Sequence, residues 1–154
     1  LVSRLHATCP DIRLTSDIVG GFPGETEEDF SATMSLLEQV RYAEIYSFIF
    51  SPRKGTAAAE LPDETPAEVK QERFDRMLQL QTGISRQIWE QDVGEVCPLL
   101  VEGASKQGEG QLFGRTTWNR IVNFPGTHEQ VGKLVDVRIT KSFRNSQLGE
   151  MVAI

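Results

Sequence analysis

The hydrophobic pattern changes period at Gly94, and that change restricts the chain to two differently built parts. Before Gly94, strand-like runs alternate with apolar stripes at helical spacing. After it, roughly sixty residues carry only short strand-like runs. The first part opens with Ile12 to Val19, a strand with one partly buried face, broken by Gly20-Gly21-Phe22-Pro23-Gly24. Thr26 supplies an N-cap hydroxyl with Asp29 three residues on, and Phe30, Met34, Leu37 and Val40 follow at helical spacing. Glu44 to Phe50 is aromatic and β-branched, a second strand ending at Ser51-Pro52. The pattern is a βαβ unit with parallel strands, which places the loops Gly20–Glu25 and Ser51–Thr56 at one carboxyl edge, where α/β proteins bind ligands.

Thr65-Pro66-Ala67-Glu68 combines an N-cap, a proline at the first helical position and a carboxylate in the first turn. Val69, Phe74, Met77, Leu78, Gln81, Ile84, Ile88 and Trp89 continue one helix to about Asp92, and Gly94 stops it. Five strands are then expected, Val96–Glu102, Gln111–Trp118, Arg120–Asn123, Leu134–Thr140 and Leu148–Ile154, as a small barrel or sandwich. The expected division is therefore 1–94 and 95–154.

Net charge is −6 over 154 residues, but it is unevenly spread. Residues 1–94 hold 9 Lys+Arg against 16 Asp+Glu, whereas residues 95–154 hold 7 against 6. The acidic average therefore does not exclude a nucleic-acid surface on the second part. Cys9 and Cys97 are far apart and His6 and His128 are isolated, so neither a disulfide scaffold nor a metal site of local ligands is expected. The thiols suit a reducing, cytoplasmic setting. Every apolar run breaks before the ~18 residues of a membrane span, and residues 1–10 lack a signal-peptide pattern. Leu1 is not an initiator Met, which reads as a piece of something longer.

Taken as composition, the glycine-rich turn is either a tight βα connection or a place where backbone approaches a ligand. It is neither a P-loop nor a dinucleotide fingerprint. In the second part, Lys106, Arg115, Asn119, Arg120 and Arg138 sit beside Phe113, Trp118 and Phe124. Cations for phosphate with aromatics for bases is RNA-binding chemistry, although aromatics of so small a barrel also serve as core. Asn119-Arg120 also reads as a turn pair.

Read as an ordered string, Ser16-Asp17-Ile18-Val19-Gly20-Gly21-Phe22-Pro23-Gly24-Glu25-Thr26-Glu27-Glu28-Asp29-Phe30 resembles the late-barrel signature D-x-I-V-G-F-P-G-E-T-x-x-D-F of radical S-adenosylmethionine methylthiotransferases. Tyr46-Ser47-Phe48-Ile49-Phe50-Ser51-Pro52-Arg53-Lys54-Gly55-Thr56-Ala57-Ala58 is similar to the strand and loop that follow there. Gly114 to Phe124 resembles the appended TRAM domain of the tRNA-modifying branch, the MiaB type. Gly132 to Thr140 and Asn145-Ser146 with Gly149-Glu150 resemble its last strands. Gly20 stands where Val is usual, Lys54 and Ala57 replace prolines, and Arg144, Gln147 and Leu148 alter the family's P-N-S-L-R stretch.

The resemblance implies a C-terminal fragment of a tRNA methylthiotransferase: the end of a radical (β/α) barrel with its closing helix in 1–94, and a five-stranded, OB-like TRAM barrel in 95–154. The parent would methylthiolate carbon 2 of an N6-isopentenyl-adenosine beside the anticodon. It would use S-adenosylmethionine and two 4Fe-4S clusters whose cysteines belong to N-terminal segments of the same polypeptide. No catalytic or cluster-ligating residue is then expected in this chain, which alone would be inactive. Matching positions imply S-adenosylmethionine contacts at Val19, Gly21, Phe22, Phe50 and Ser51. Phe50 equally suits a barrel core, and Glu25 either bonds backbone at that rim or favours the helix start by charge. The tRNA anticodon stem-loop would meet Lys106, Arg115, Trp118, Asn119, Arg120 and Arg138, with Arg53 and Lys54 either joining them or simply solvated. The sister branch, acting on an aspartate of a ribosomal protein, usually has Glu-Glu at Arg53-Lys54 and lacks the Asn119-to-Asn123 string. A non-catalytic RNA-binding module is the reading from another class.

Overall fold

In a computed structural model, which describes residues 1–152, Thr26 starts the first long helix in the way its sequence dictates. The Thr26 hydroxyl accepts from the Asp29 amide at 3.1 Å, and the Asp29 carboxylate accepts from the Thr26 amide at 2.9 Å. The Asp29 carboxylate also accepts from the Thr26 hydroxyl at 2.7 Å, and that bond first, with the amide bond second, holds the Asp29 carboxyl below its ordinary range. The helix, α2 (Glu27–Val40), joins β1 (Thr15–Gly20) to β2 (Glu44–Ile49), which pair in parallel from Thr15↔Glu44 to Gly20↔Ile49. It ends where Arg41 turns left-handed at φ 54°. The expected βαβ unit is present, with its loops at one edge. A short helix, α1 (Val2–Thr8), precedes it. Nothing in the sequence marks α1, since it has no side-chain cap and buries no residue.

The long helix α3 (Ala67–Glu90) starts one residue later than expected, with Pro66 just ahead of it, and ends two residues earlier. Its Met77 packs with Phe30 and Leu37 of α2, flanked by Ile18, Ile45 and Phe74. Gln81 and Ser85 donate to the carbonyls of Tyr42 and Ala43 at 2.7 and 2.8 Å, fixing the helix against the approach to β2. On the opposite face of the strand pair, which also carries Thr15, Asp17 and Glu44, the apolar Val19, Tyr46 and Phe48 stand 51%, 53% and 58% exposed.

The chain divides into two compact units, Leu1–Ser85 and Arg86–Ile154, with the division inside α3. In the second unit, β3 (Val96–Ala104), β4 (Gln111–Arg115), β5 (Ile121–Pro125), β6 (Leu134–Ser142) and β7 (Gln147–Met151) close into a barrel in the order β3-β4-β5-β7-β6. Four seams are antiparallel, while β5 and β7 pair in parallel through Val122↔Gln147 and Asn123↔Leu148. The barrel alternative to a sandwich is thus the observed one. The second expected strand ends at Arg115 rather than Trp118, because Thr116 to Arg120 form a turn closed by the Thr116 amide on the Arg120 carbonyl at 3.0 Å. The last expected strand begins one residue earlier, and its residues 153–154 lie outside the described residues.

The barrel interior is filled by Cys97, Leu99, Val101, Leu112, Val122, Phe124, Val137 and Ile139. Phe124, one of the aromatics flanking the cations, is wholly buried in this core. Closure demands a glycine at Gly114, where a Cβ would lie 2.6 Å from the Leu100 carbonyl oxygen. No helix among the described residues is long and apolar enough to cross a membrane.

Candidate functional site

At the carboxyl edge of β1 and β2, Gly21 is buried with φ +68°, and its amide donates to Glu25 Oε2 at 3.0 Å. Of the two readings of Glu25, the backbone bond is the one observed. Arg73, on α3 and 7% exposed, donates to the Glu25 carbonyl at 3.0 Å and pairs with its carboxylate at 3.3 Å and with Glu27 at 3.1 Å. A Cβ on Gly21 would come within 2.9 Å of the Lys70 stem, and the Lys70 ammonium pairs with Asp63. The turn is therefore fixed from beneath by buried cations. The sequence motif named neither Arg73 nor Lys70, because they sit on α3, more than forty residues away.

Above this support, the Phe22 and Phe50 rings meet edge to face with centroids 5.0 Å apart and planes at 68°. The Phe50 amide donates to the Gly20 carbonyl at 2.8 Å, extending the strand pairing to the rim. Val19, Phe22 and Ser51 are exposed, Phe50 is half-buried, and Gly21 lies below them. The structure thus gathers all five residues at one edge around an aromatic pair whose Phe22 is exposed, a surface suited to a flat apolar ring. Arg53 and Lys54 are exposed on the loop after β2, where the Arg53 carbonyl accepts from the Thr56 hydroxyl at 2.8 Å.

The second unit divides the expected cations between its two ends. Strand pairing puts the turn 116–120, the β6–β7 turn 143–146 and the start of β3 at one end, and the loops 105–110 and 126–133 at the other. Lys106 is exposed but sits at the far end, away from Arg115, Trp118, Asn119 and Arg120. Arg115 pairs with Glu102 at 3.1 Å and donates to the Asn119 carbonyl and side chain at 3.2 and 3.0 Å. Asn119 adopts φ 63°, the turn role its sequence allowed. Trp118 is half-buried rather than fully exposed. Arg138 is exposed on β6 and donates to the Gly94 carbonyl at 2.8 Å.

Arg120 departs from its expected role. It is 6% exposed, its guanidinium lies 4.7 Å from the Trp89 ring, and it donates to the carbonyls of Phe143 and Arg144 at 2.5 and 2.9 Å. A cation committed to an indole and two carbonyls faces inward and anchors the β6–β7 turn. On that turn and the end of β6 leading into it stand residues that sequence reasoning passed over: Lys141, with its ammonium 5.0 Å from the Phe143 ring, Phe143 itself, and exposed Arg144. The available signal was the run 137–149, which contains Arg138, Lys141 and Arg144 and no carboxylate.

Comparison with known proteins bears on both units. Residues 90–152 match the TRAM domain. Over 151 residues the chain is 62% identical to the tRNA-2-methylthio-N(6)-dimethylallyladenosine synthase of Syntrophotalea carbinolica, covering 98% of this chain and 34% of that protein. Proteins of the same name from Acetivibrio thermocellus and Geotalea uraniireducens are 50% and 48% identical, over 90% and 97% of this chain and 29% and 34% of theirs. The chain spans about a third of the length of these curated relatives.

Proposed function

We propose that this chain, related over nearly its whole length to tRNA-2-methylthio-N(6)-dimethylallyladenosine synthases, is the C-terminal part of such an enzyme. The observation that carries the reading is the 62% identity extending through both units, since a free-standing RNA-binding module would need only the second. The parent polypeptide would be a radical S-adenosylmethionine methylthiotransferase of the cytoplasm. It would act at carbon 2 of N6-isopentenyl-adenosine in the tRNA anticodon loop, residues 1–94 completing its barrel and residues 95–154 gripping the tRNA.

Val19, Gly21, Phe22, Phe50 and Ser51 fit one side of an S-adenosylmethionine pocket, because the Phe22–Phe50 edge offers an apolar wall beside exposed strand-end backbone. S-adenosylmethionine would supply the radical and the methyl group. Glu25 and Arg73 hold the turn in register for that contact, and Val19 excludes water from its apolar side. The two 4Fe-4S clusters do not fit this chain: Cys9 and Cys97 lie in different units, and no group of three or more His, Cys, Asp or Glu residues among the described residues is placed to hold a metal. Their ligands are assigned to the N-terminal segments. Arg115, Trp118, Asn119 and Arg138 supply the RNA contacts at one end of the barrel, and Arg53 adds a cation on the first unit. Lys106, at the other end, lies outside that surface, and Arg120 serves it from within.

The test is to express the full-length polypeptide in a bacterial strain lacking 2-methylthio-adenosine in its tRNA and to examine tRNA nucleosides and ribosomal proteins by mass spectrometry. Appearance of the methylthio nucleoside is expected. A methylthio gain on a ribosomal-protein aspartate, with tRNA unchanged, would replace this reading by the sister activity.

A further inference from the structure

At the end of β6 and in the β6–β7 turn, an exposed aromatic ring, a cation against that ring and a second solvated cation coincide. Phe143 is 44% exposed although it is large and apolar, and the Lys141 ammonium lies 5.0 Å from its centroid. Arg144 follows directly and is exposed, and no carboxylate occurs between Val137 and Gly149. The turn is also held rigidly. The Phe143 amide donates to the Ser146 carbonyl at 2.9 Å, and the buried Arg120, lying over Trp89, clamps the carbonyls of residues 143 and 144. An exposed ring on a mobile turn would lose rotational freedom on binding. This one loses little, because its backbone is already fixed.

We propose that Phe143 is a stacking platform for one unpaired base of the bound RNA, with Lys141 and Arg144 holding the phosphates on either side of that base. The inference rests on the proposed RNA-binding role of the barrel and deepens it: the ligand feature recognised at this end is an unpaired nucleotide, not a duplex. Stacking requires a ring that reaches solvent, and Phe143 is 44% exposed while the core residue Phe124 is wholly buried. The clamp by Arg120 gives a reason for burying an arginine at this end of the second unit, beside a surface that uses cations.

The 154-residue chain is titrated with two RNAs of equal length at several salt concentrations, an anticodon stem-loop and a blunt duplex. Wild type is expected to favour the stem-loop. Phe143→Ala should weaken the stem-loop by roughly 5- to 150-fold, leave the duplex unchanged and leave the salt slope unchanged. Arg144→Ala should weaken both RNAs alike and lower the slope by about 1. Phe143→Tyr, which keeps the π-face, should restore stem-loop binding. Thermal unfolding of each variant shows that the barrel is intact. If wild type binds the stem-loop and Phe143→Ala binds it equally well, or loses both RNAs equally, the platform is overturned while the RNA-binding role stands. If wild type binds neither RNA, that role falls and the platform with it.

Discussion

Gly114→Ala tests whether barrel closure depends on the close approach of β3 and β4. The added methyl would sit 2.6 Å from the Leu100 carbonyl oxygen, 3.1 Å from its carbon and 3.3 Å from Val101 Cα. All three are backbone atoms of the facing strand, so no side chain can swing aside and relieve the overlap. Overpacking costs about 1–3 kcal/mol, and a clash against backbone belongs at the upper end. The methyl also restricts the unfolded chain, which returns about 0.4–1 kcal/mol. The net loss should be about 2 kcal/mol, or roughly 8–16 °C in Tm for a unit of this size. Gly103→Ala is the matched control on the facing strand. Its methyl would meet only Phe113 Cε1 at 3.6 Å, an ordinary contact, so it should be neutral or slightly stabilising. Both tryptophans, Trp89 and Trp118, lie in the second unit, so urea unfolding followed by tryptophan fluorescence reports that unit alone. Equal midpoints for the two variants would refute the steric account of closure.

Cys97 carries a pH signature. Burial first, and then Asp92 and Asp136, push its thiol up from 9.0 to about 11. The folded chain thus keeps a proton the unfolded chain releases, and the stabilisation present below about pH 9 is lost as pH approaches 11. Cys97→Ala should flatten that part of the stability profile, and an unchanged slope would show that the thiol is not responsible. In native protein a thiol reagent at pH 8 should modify exposed Cys9 quickly and Cys97 only on unfolding. Fragment 95–154 should fold alone, whereas fragment 1–94 should aggregate through its unpaired strand edges, as proteolysis and light scattering would show. Extending the stable fragment back to Arg86 should raise its midpoint, because Trp89 then packs against Arg120, and Asp92 and the Trp89 carbonyl accept from Gln147 at 3.0 and 3.1 Å. Anaerobic reconstitution should leave the isolated chain without stoichiometric cluster iron, and cluster iron bound through Cys9 and Cys97 would contradict the assignment of ligands to other segments.

The parts legible in the sequence were those set by local periodicity and caps. Thr26 with Asp29 fixed the start of α2, and Thr65-Pro66 announced the approach to α3. The alternation in Val96–Ala104 places Cys97, Leu99 and Val101 inward, as period-two patterning requires. What stayed hidden depends on strand order and on which way a side chain turns. The parallel β5–β7 seam joins strands separated by β6, and no local pattern encodes it; that seam brings the β6–β7 turn to the same end as the turn 116–120. Arg120 looked like its neighbour Arg115 in the sequence, yet a difference in side-chain direction buries one and leaves the other at the surface. At the Gly20–Thr26 turn the motif identified the edge, but the cations beneath it arrive from α3 and were invisible to any reading of the turn alone.

The parallel seam also governs how this cylinder breathes. Two register pairs hold β5 to β7, so the lowest-energy opening splits the barrel there into a curled sheet while its antiparallel hairpins persist. The buried Gln147 stands at the mouth of that split, and its amide is tied to the Trp89 carbonyl and to Asp92, so the last turn of α3 acts as a bolt across the gap. Amide exchange at 147–148 should therefore follow the bolt rather than the barrel core. Cutting Gln147 free would quicken it without melting the strands on either side.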